Sequence, residues 1–191
     1  MTATYHHGNL RAALLSAAET ALADGGDLSL RALAREVGVS HAAPRRHFAD
    51  KQALLDALAE DGFLRLGALL REASENEDFE ACLLAFAHAY VSFAIDHAAL
   101  LDLMWAGKHR SDAVRAASDQ AFTAPMARIV EAQAAGEVVG GEFEPVATVA
   151  VAAFHGLAAM VNNGMLAAAD LDEIVPATVE RLLDGLRPRV A

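Results

Sequence analysis

Apolar residues recur at three- and four-residue spacing along most of the chain, which is the period of an amphipathic helix. The first such face contains Leu10, Leu14, Ala17 and Ala21, and no segment alternates apolar and polar residues as a half-buried strand does. Pro125 is expected to kink or break one helix, because proline removes a helix hydrogen bond. The pattern predicts helices over about residues 8–23, 30–37, 41–47, 51–74, 78–96, 98–105, 111–135, 144–168 and 171–186.

The composition fits an all-α globular protein of about nine helices. Alanine is abundant, and the 191 residues include only 5 prolines and 13 glycines, so helix propensity is high throughout. Apolar residues make up 54% of the chain, which is enough to bury a core of substantial size. Cys82 is the only cysteine, so no internal disulfide can form, and we expect a buried, unreactive thiol.

The segment from Leu30 to Lys51 has the pattern of a helix-turn-helix. A short amphipathic helix ends at Gly38, where glycine allows the positive φ of a tight turn. Val39 then faces the core, and Ser40 is expected to cap the next helix. Residues 40–48 (the recognition segment) are polar where a core helix would be apolar. Two short helices joined in this way are typical of DNA-binding proteins, in which the second enters the major groove.

The recognition segment supplies most of the candidate DNA contacts. Small residues at its start would let the backbone approach the groove floor, and the cations that follow would face phosphates or guanine edges. Lys51, at the start of the next helix, adds a phosphate contact. Ser29 and Arg31 would reach phosphates across the groove edge, or else Ser29 caps its helix and Arg31 is a surface cation. The candidates are Ser29, Arg31, Ser40, His41, Ala42, Ala43, Arg45, Arg46, His47 and Lys51.

Over residues 10–58 the sequence resembles the tetracycline-repressor (TetR) family. After an opening amphipathic helix it has the pattern L-x-x-L-A-x-x-x-G-V-S from Leu30, followed by x-A-x-x-x-R-H-F-x-x-K-x-x-L-L up to Leu55. The resemblance implies a three-helix DNA-binding head over residues 1–52 and a larger helical effector-binding and dimerisation body over residues 53–191. It also implies a phosphate contact for His47. Phe154-His155-Gly156 looks like a subgroup with a WHG-type C-terminal domain.

Two residues of the recognition segment are unusual. Arg45 stands where the family usually has a tyrosine that contacts a phosphate. Arginine binds phosphate bidentately and also matches a guanine edge, so both contacts remain open. Pro44 has no N–H to donate to the carbonyl of Ser40, so this helix is expected to lose an early hydrogen bond.

Aromatic and methionine residues of the middle helices mark a candidate effector pocket. Proteins similar to this one keep their pocket in that region, although aromatic residues at helical spacing are also typical of an ordinary core. The apolar lining and the acidic body would suit an apolar or cationic small molecule. The candidates are Phe86, Tyr90, Phe93, Met104, Trp105, Phe122, Met126 and Phe154.

The last two predicted helices carry apolar stripes that would form a homodimer interface. Two such helices from each subunit would make a four-helix contact with two-fold symmetry. Part of each stripe must instead belong to the core of its own subunit. The candidate interface residues are Val149, Ala153, Leu157, Met160, Val161, Val179, Leu182, Leu183 and Leu186.

The charge distribution is compatible with DNA binding although the formal net charge is −11. Residues 1–60 carry a net charge of −1 and residues 61–191 a net charge of −10, while residues 40–51 hold three cations and one acid. Salt limits the reach of the distant acids to about 10 Å. No apolar run approaches the roughly 18 residues of a membrane span, and the first residues lack a secretion signal. We therefore expect a cytoplasmic protein with no membrane partner.

The sequence shows no nucleophile–base pair, no phosphate-binding loop and no metal-binding spacing of histidines. An enzyme, a cofactor and a metal site are therefore not expected. The prediction is a homodimeric transcriptional regulator that binds an operator in double-stranded DNA and is released by a small-molecule effector. Repression is favoured because blocking a promoter needs no further partner surface. The alternative is a ligand-binding helical dimer that does not regulate transcription directly.

Overall fold

Eight α-helices account for most of the chain in a computed structural model that describes residues 7–187, and this described range contains no strand. The all-α prediction is therefore confirmed, with eight α-helices in that range where about nine were expected. The helices are α1 His7–Ala23, α2 Leu30–Glu36, α3 Lys51–Ala73, α4 Phe79–Asp96, α5 Ala98–Lys108, α6 Asp112–Ala135, α7 Phe143–Asn162 and α8 Leu171–Leu186.

The helix predicted over residues 41–47 does not form as an α-helix. Its regular part is a single 3₁₀ turn, Pro44–Arg46. In an α-helix the residue at position 44 would donate to the carbonyl of Ser40, but proline has no N–H. The N–H of Ala43 donates to that carbonyl instead, at 3.0 Å, which closes a tighter turn.

Two further boundaries differ from the sequence pattern. Helix α6 continues through Pro125, so the possible break at this proline does not occur. Helix α7 ends before its predicted limit, because the chain turns back at Gly164, which has a φ of +71°. The N–H groups of Met165 and Leu166 both return to the carbonyl of Met160, at 2.8 and 3.2 Å, and close the turn.

The described chain forms two compact units. Unit 1 contains the described residues of Met1–Phe63 together with Ala99–Ala117, and unit 2 contains Leu64–Ala98 together with the described residues of Ser118–Ala191. Helices α3 and α6 contribute residues to both units. The functional division between residues 52 and 53 remains a prediction.

The core of unit 1 is built on α1, α2 and the first half of α3. Leu14, Leu33 and Leu54 are fully buried there. Helix α5 completes the unit, and its Met104 packs against Gly62, where a Cβ atom would lie only 2.6 Å from the methionine sulfur. The glycine therefore permits the close approach of α3 and α5.

In unit 2, α4 packs against α7 and α8. The rings of Phe86 and Phe154 lie 5.8 Å apart between α4 and α7. By length and composition alone, Phe79–Asp96 and Phe143–Asn162 are apolar enough to cross a membrane. Half of the first and a third of the second are buried within the protein, which is the environment of core helices in a soluble fold.

Candidate DNA-binding site and cavity

The turn between α2 and the recognition segment is a Schellman motif. Gly38 has a φ of +73°, its N–H donates to Arg35, and the N–H of Val39 donates to the carbonyl of Ala34 at 2.9 Å. These bonds occupy the last carbonyls of α2 and set the direction in which the chain leaves the helix. Only glycine adopts this backbone conformation without strain, so the local sequence dictates where the recognition segment begins.

The opposite end of α2 is capped by Ser29. Its hydroxyl oxygen accepts a hydrogen bond from the N–H of Ala32 at 3.2 Å, and its own N–H and O–H donate to Asp27 at 2.8 and 2.9 Å. These two bonds, the backbone one first, hold the pKa of Asp27 below its ordinary value of 3.8. Capping, one of the two roles considered for Ser29, is therefore present, and its DNA contact remains a prediction.

The recognition segment is anchored at its end by buried groups. Pro44 is buried, and its carbonyl accepts hydrogen bonds from the N–H groups of both His47 and Phe48, at 2.9 Å each. Phe48 is only 2% exposed, and the Arg11 guanidinium lies 5.7 Å from the centre of its ring. The 3₁₀ turn is thus held by its contacts with α1 and α2 rather than by its own hydrogen bonds.

The other side of the recognition segment faces solvent. Ser40, His41 and Ala42 are exposed, and Ala43 and His47 are half-buried. Arg45 and Arg46 are both exposed, and within the described residues neither side chain has a hydrogen bond or an ion pair. Adjacent, unneutralised guanidinium groups at a protein surface are suited to phosphates and guanine edges.

Two more predicted cations flank this surface. Arg31 is exposed on the first turn of α2, and Lys51 is exposed at the first position of α3. At the start of α3 the Asp50 carboxylate already accepts a hydrogen bond from the N–H of Ala53 at 2.8 Å. A phosphate at this helix end would therefore meet Lys51 but would compete with the Asp50 carboxylate for the backbone donors.

Unit 2 contains a partly open cavity of about 360 Å³ between α4, α6 and α7. Of the predicted pocket residues, Phe86 and Met126 line it. Tyr90, Phe93 and Phe154 are buried elsewhere in unit 2, and Phe122 is half-buried there. Met104 and Trp105 belong to unit 1, where the ring of Trp105 packs edge-on against Phe63 at 5.4 Å.

The sequence pattern missed two polar residues of the cavity wall, Cys82 and Arg128. Burial raises the pKa of the Cys82 thiol, and the neighbouring Arg128 guanidinium offsets only part of the rise. A signal for both was present, because Cys82 lies one turn before Phe86 and Arg128 falls on the same helical face as Pro125 and Ile129. A single arginine on an otherwise apolar face could have been noted.

The predicted interface residues divide into two groups. Leu157, Val179 and Leu183 are buried inside their own subunit. Val149 is 52% exposed on α7. The remaining half-buried candidates are Ala153, Met160, Val161, Leu182 and Leu186.

No cluster of three or more histidine, cysteine, aspartate or glutamate side chains suited to a metal ion occurs within residues 7–187. His155 lies 3.2 Å through Nδ1 from the hydroxyl of the buried Tyr90. These two groups therefore serve each other across α4 and α7.

Two family models match the chain. The model of bacterial regulatory proteins of the tetR family matches residues 14–58, and the model of the tetracyclin repressor-like C-terminal domain matches residues 83–186. Together they include the helix-turn-helix, α4 to α7 and almost all of α8. No curated protein matches the chain.

Solved structures similar to the chain agree with these models. A protein of unknown function from Rhodococcus sp. RHA1 is 46% identical, with a TM-score of 0.87 over 98% of this chain and 100% of that one. A TetR family transcription regulator from Marinobacter aquaeolei VT8 is 17% identical, with a TM-score of 0.79 over 94% and 96% of the two chains. The TetR family transcriptional regulator PfmR from Thermus thermophilus is 19% identical, with a TM-score of 0.67 over 92% and 99%. The last two share the fold.

Proposed function

This chain belongs to the TetR family of DNA-binding transcription regulators, and from that premise we propose that it is a homodimeric repressor released from its operator by a small molecule. The observation that carries the DNA-binding part is the exposed pair Arg45 and Arg46, which follows a Schellman turn and is anchored by the buried Phe48. Such a surface can enter a groove without unfolding any core contact. The proposed location is the cytoplasm, where DNA is accessible.

The contact surface is tested by retaining genomic DNA fragments on the purified protein and measuring affinity at several salt concentrations. The double variant Arg46→Ala with Lys51→Ala should abolish retention, and any remaining binding should lose roughly 0.9 of salt slope for each phosphate contact removed. The matched control is Arg71→Ala with Arg110→Ala, which removes the same charge from two exposed positions outside the helix-turn-helix. Retention that survives the first change unaltered contradicts the assigned surface. A wild-type protein that retains no DNA would favour the alternative of a ligand-binding dimer.

The homodimer is proposed to form through the outward faces of α7 and α8. Val149 supports this, because it is 52% exposed on a helix whose opposite side is buried in the core. Val149→Asp should lower the dimer fraction measured by sedimentation. Val130→Asp provides a matched control, since Val130 is 48% exposed on α6 and is not a predicted interface residue. If the two variants sediment alike, these faces do not form the interface.

Release by an effector is proposed to start in unit 2 and to change the half-site spacing of the two recognition segments in a dimer. Helices α3 and α6 each continue from one unit into the other, which offers a covalent route for the change. A difference of about 1–3 kcal/mol in DNA affinity between the two states would suffice for 5–150-fold regulation.

A further inference from the structure

The unit 2 cavity has an asymmetric wall. Eleven residues line it, and ten of them carry no charge. The exception is Arg128 of α6. An apolar cavity with one polar group is the usual form of a small-molecule site, in which the apolar wall supplies affinity and the polar group fixes orientation.

The guanidinium of Arg128 is only partly occupied. Its Nη1 pairs with the Glu131 carboxylate, and its Nη2 donates to the backbone carbonyl of Glu77 at 2.6 Å. Its Nε atom is buried and has no hydrogen-bond partner among the described residues. A buried donor without a partner is costly, so a molecule that brings an acceptor to this atom is favoured.

The charges around Arg128 decide which acceptor fits. The positive charge is already paired with Glu131, and both Glu131 and Asp78 act on the neighbouring Cys82 as negative charges. A ligand carboxylate would therefore add a charge that has no partner of its own in an apolar wall, which is strongly unfavourable. The Cys82 sulfur is a weak acceptor and leaves room for a better one.

We propose that this cavity binds a small apolar molecule with one neutral carbonyl oxygen, such as a ketone, an ester or an amide, which accepts a hydrogen bond from Arg128 Nε. The inference rests on the effector-responsive function proposed above and names the chemical class of the effector. Cationic ligands are disfavoured, because Arg128 would repel them.

Three probes of the same shape separate the contributions. Acetophenone carries the neutral carbonyl, α-methylstyrene replaces its oxygen by a methylene group, and benzoate is the anionic counterpart. We expect acetophenone to bind about tenfold more tightly than either of the others by ligand-observed NMR. That ratio corresponds to about 1.4 kcal/mol.

Methionine methyl signals locate the binding. Met126 lines the cavity, whereas Met165 is 70% exposed on the surface that follows α7. With methyl-labelled methionine, acetophenone should shift the Met126 signal and leave the Met165 signal in place. A shift of Met165 alone would place the binding elsewhere and overturn the proposal.

Arg128→Lys tests the assigned donor. Lysine keeps the positive charge for Glu131 but has no Nε–H, so the preference for acetophenone over α-methylstyrene should fall to less than about threefold. Arg115→Lys is the matched control, because Arg115 lies on the same helix and pairs with Asp112 three residues before it, at 2.6 Å. The control should keep the tenfold preference.

Four outcomes would overturn the proposal. They are tighter binding of benzoate than of acetophenone, equal binding of all three probes to the wild type, an undiminished preference in folded Arg128→Lys, and no binding of any probe at roughly 10 mM. If Arg128→Lys does not fold, the wild-type comparison still decides. No DNA is present in these experiments, so their failure leaves the DNA-retention result standing, and failure of DNA retention leaves theirs standing.

Discussion

Replacing Phe48 by alanine should remove the anchor of the recognition segment. The ring is 2% exposed, so nearly all of its surface is buried. A phenylalanine buries roughly 150–250 Å², which at about 25 cal/mol per Å² amounts to about 4–6 kcal/mol. This value is an upper estimate, because an unfolded chain already hides part of the area. With the cavity that alanine would leave, we expect Phe48→Ala to lower the free energy of unfolding by about 3–5 kcal/mol.

The assay is urea unfolding followed by far-ultraviolet circular dichroism, with the midpoint and slope compared between variants. Leu64→Ala serves as a control, because Leu64 is 47% exposed on α3 and should cost only about 1 kcal/mol. Phe48→Leu should lie between the two. A loss below about 1 kcal/mol for Phe48→Ala would refute the reasoning, since the segment would then be held by something other than this ring.

Gly67→Ala should destabilise unit 2 by about 1–3 kcal/mol in the same assay, because its Cβ would lie 2.8 Å from the Cα of Ala121; an unchanged midpoint would contradict this close approach. Asp27→Asn should abolish a contribution that is present above pH 3.8 and lost as the pH falls through the lowered pKa of Asp27, so acid unfolding curves of the variant and the wild type should converge at low pH. If they stay parallel, the hydrogen bonds from Ser29 do not stabilise the carboxylate. Burial raises the pKa of Cys82 above its ordinary value of 9.0, so iodoacetamide should alkylate the folded protein more slowly than the unfolded chain at pH 8, and equal rates would show an accessible thiolate.

Much of the fold could be read from the sequence because helical periodicity reports burial directly. The stripe of Leu10 and Leu14 predicted α1. Gly38 predicted the turn before the recognition segment, because a positive φ there is a local requirement of the backbone. The missing N–H of Pro44 was equally visible, but its consequence was not, since a 3₁₀ turn and a distorted α-helix differ only in contacts supplied by α1 and α2.

The candidate sites depended on tertiary structure to different degrees. Arg45 and Arg46 were identified from their polar surroundings in the chain, and exposure is a property that such a pattern indicates well. The cavity was not, because residues distant in sequence form its wall. Cys82 and Arg128 lie 46 positions apart in the numbering, and only the packing of α4 against α6 places them side by side.

The amino-acid sequence by itself determined the helical class, the helix-turn-helix and its basic surface, since each depends on neighbours within a few positions along the chain. Only the tertiary structure decided which apolar residues fill a core and which line a cavity, because a stripe such as Leu157, Val179 and Leu183 has the same spacing whether it faces its own subunit or a partner. It also decided that Arg128 Nε stays without a partner among the described residues, since that depends on where Glu131 and Glu77 stand around it in space.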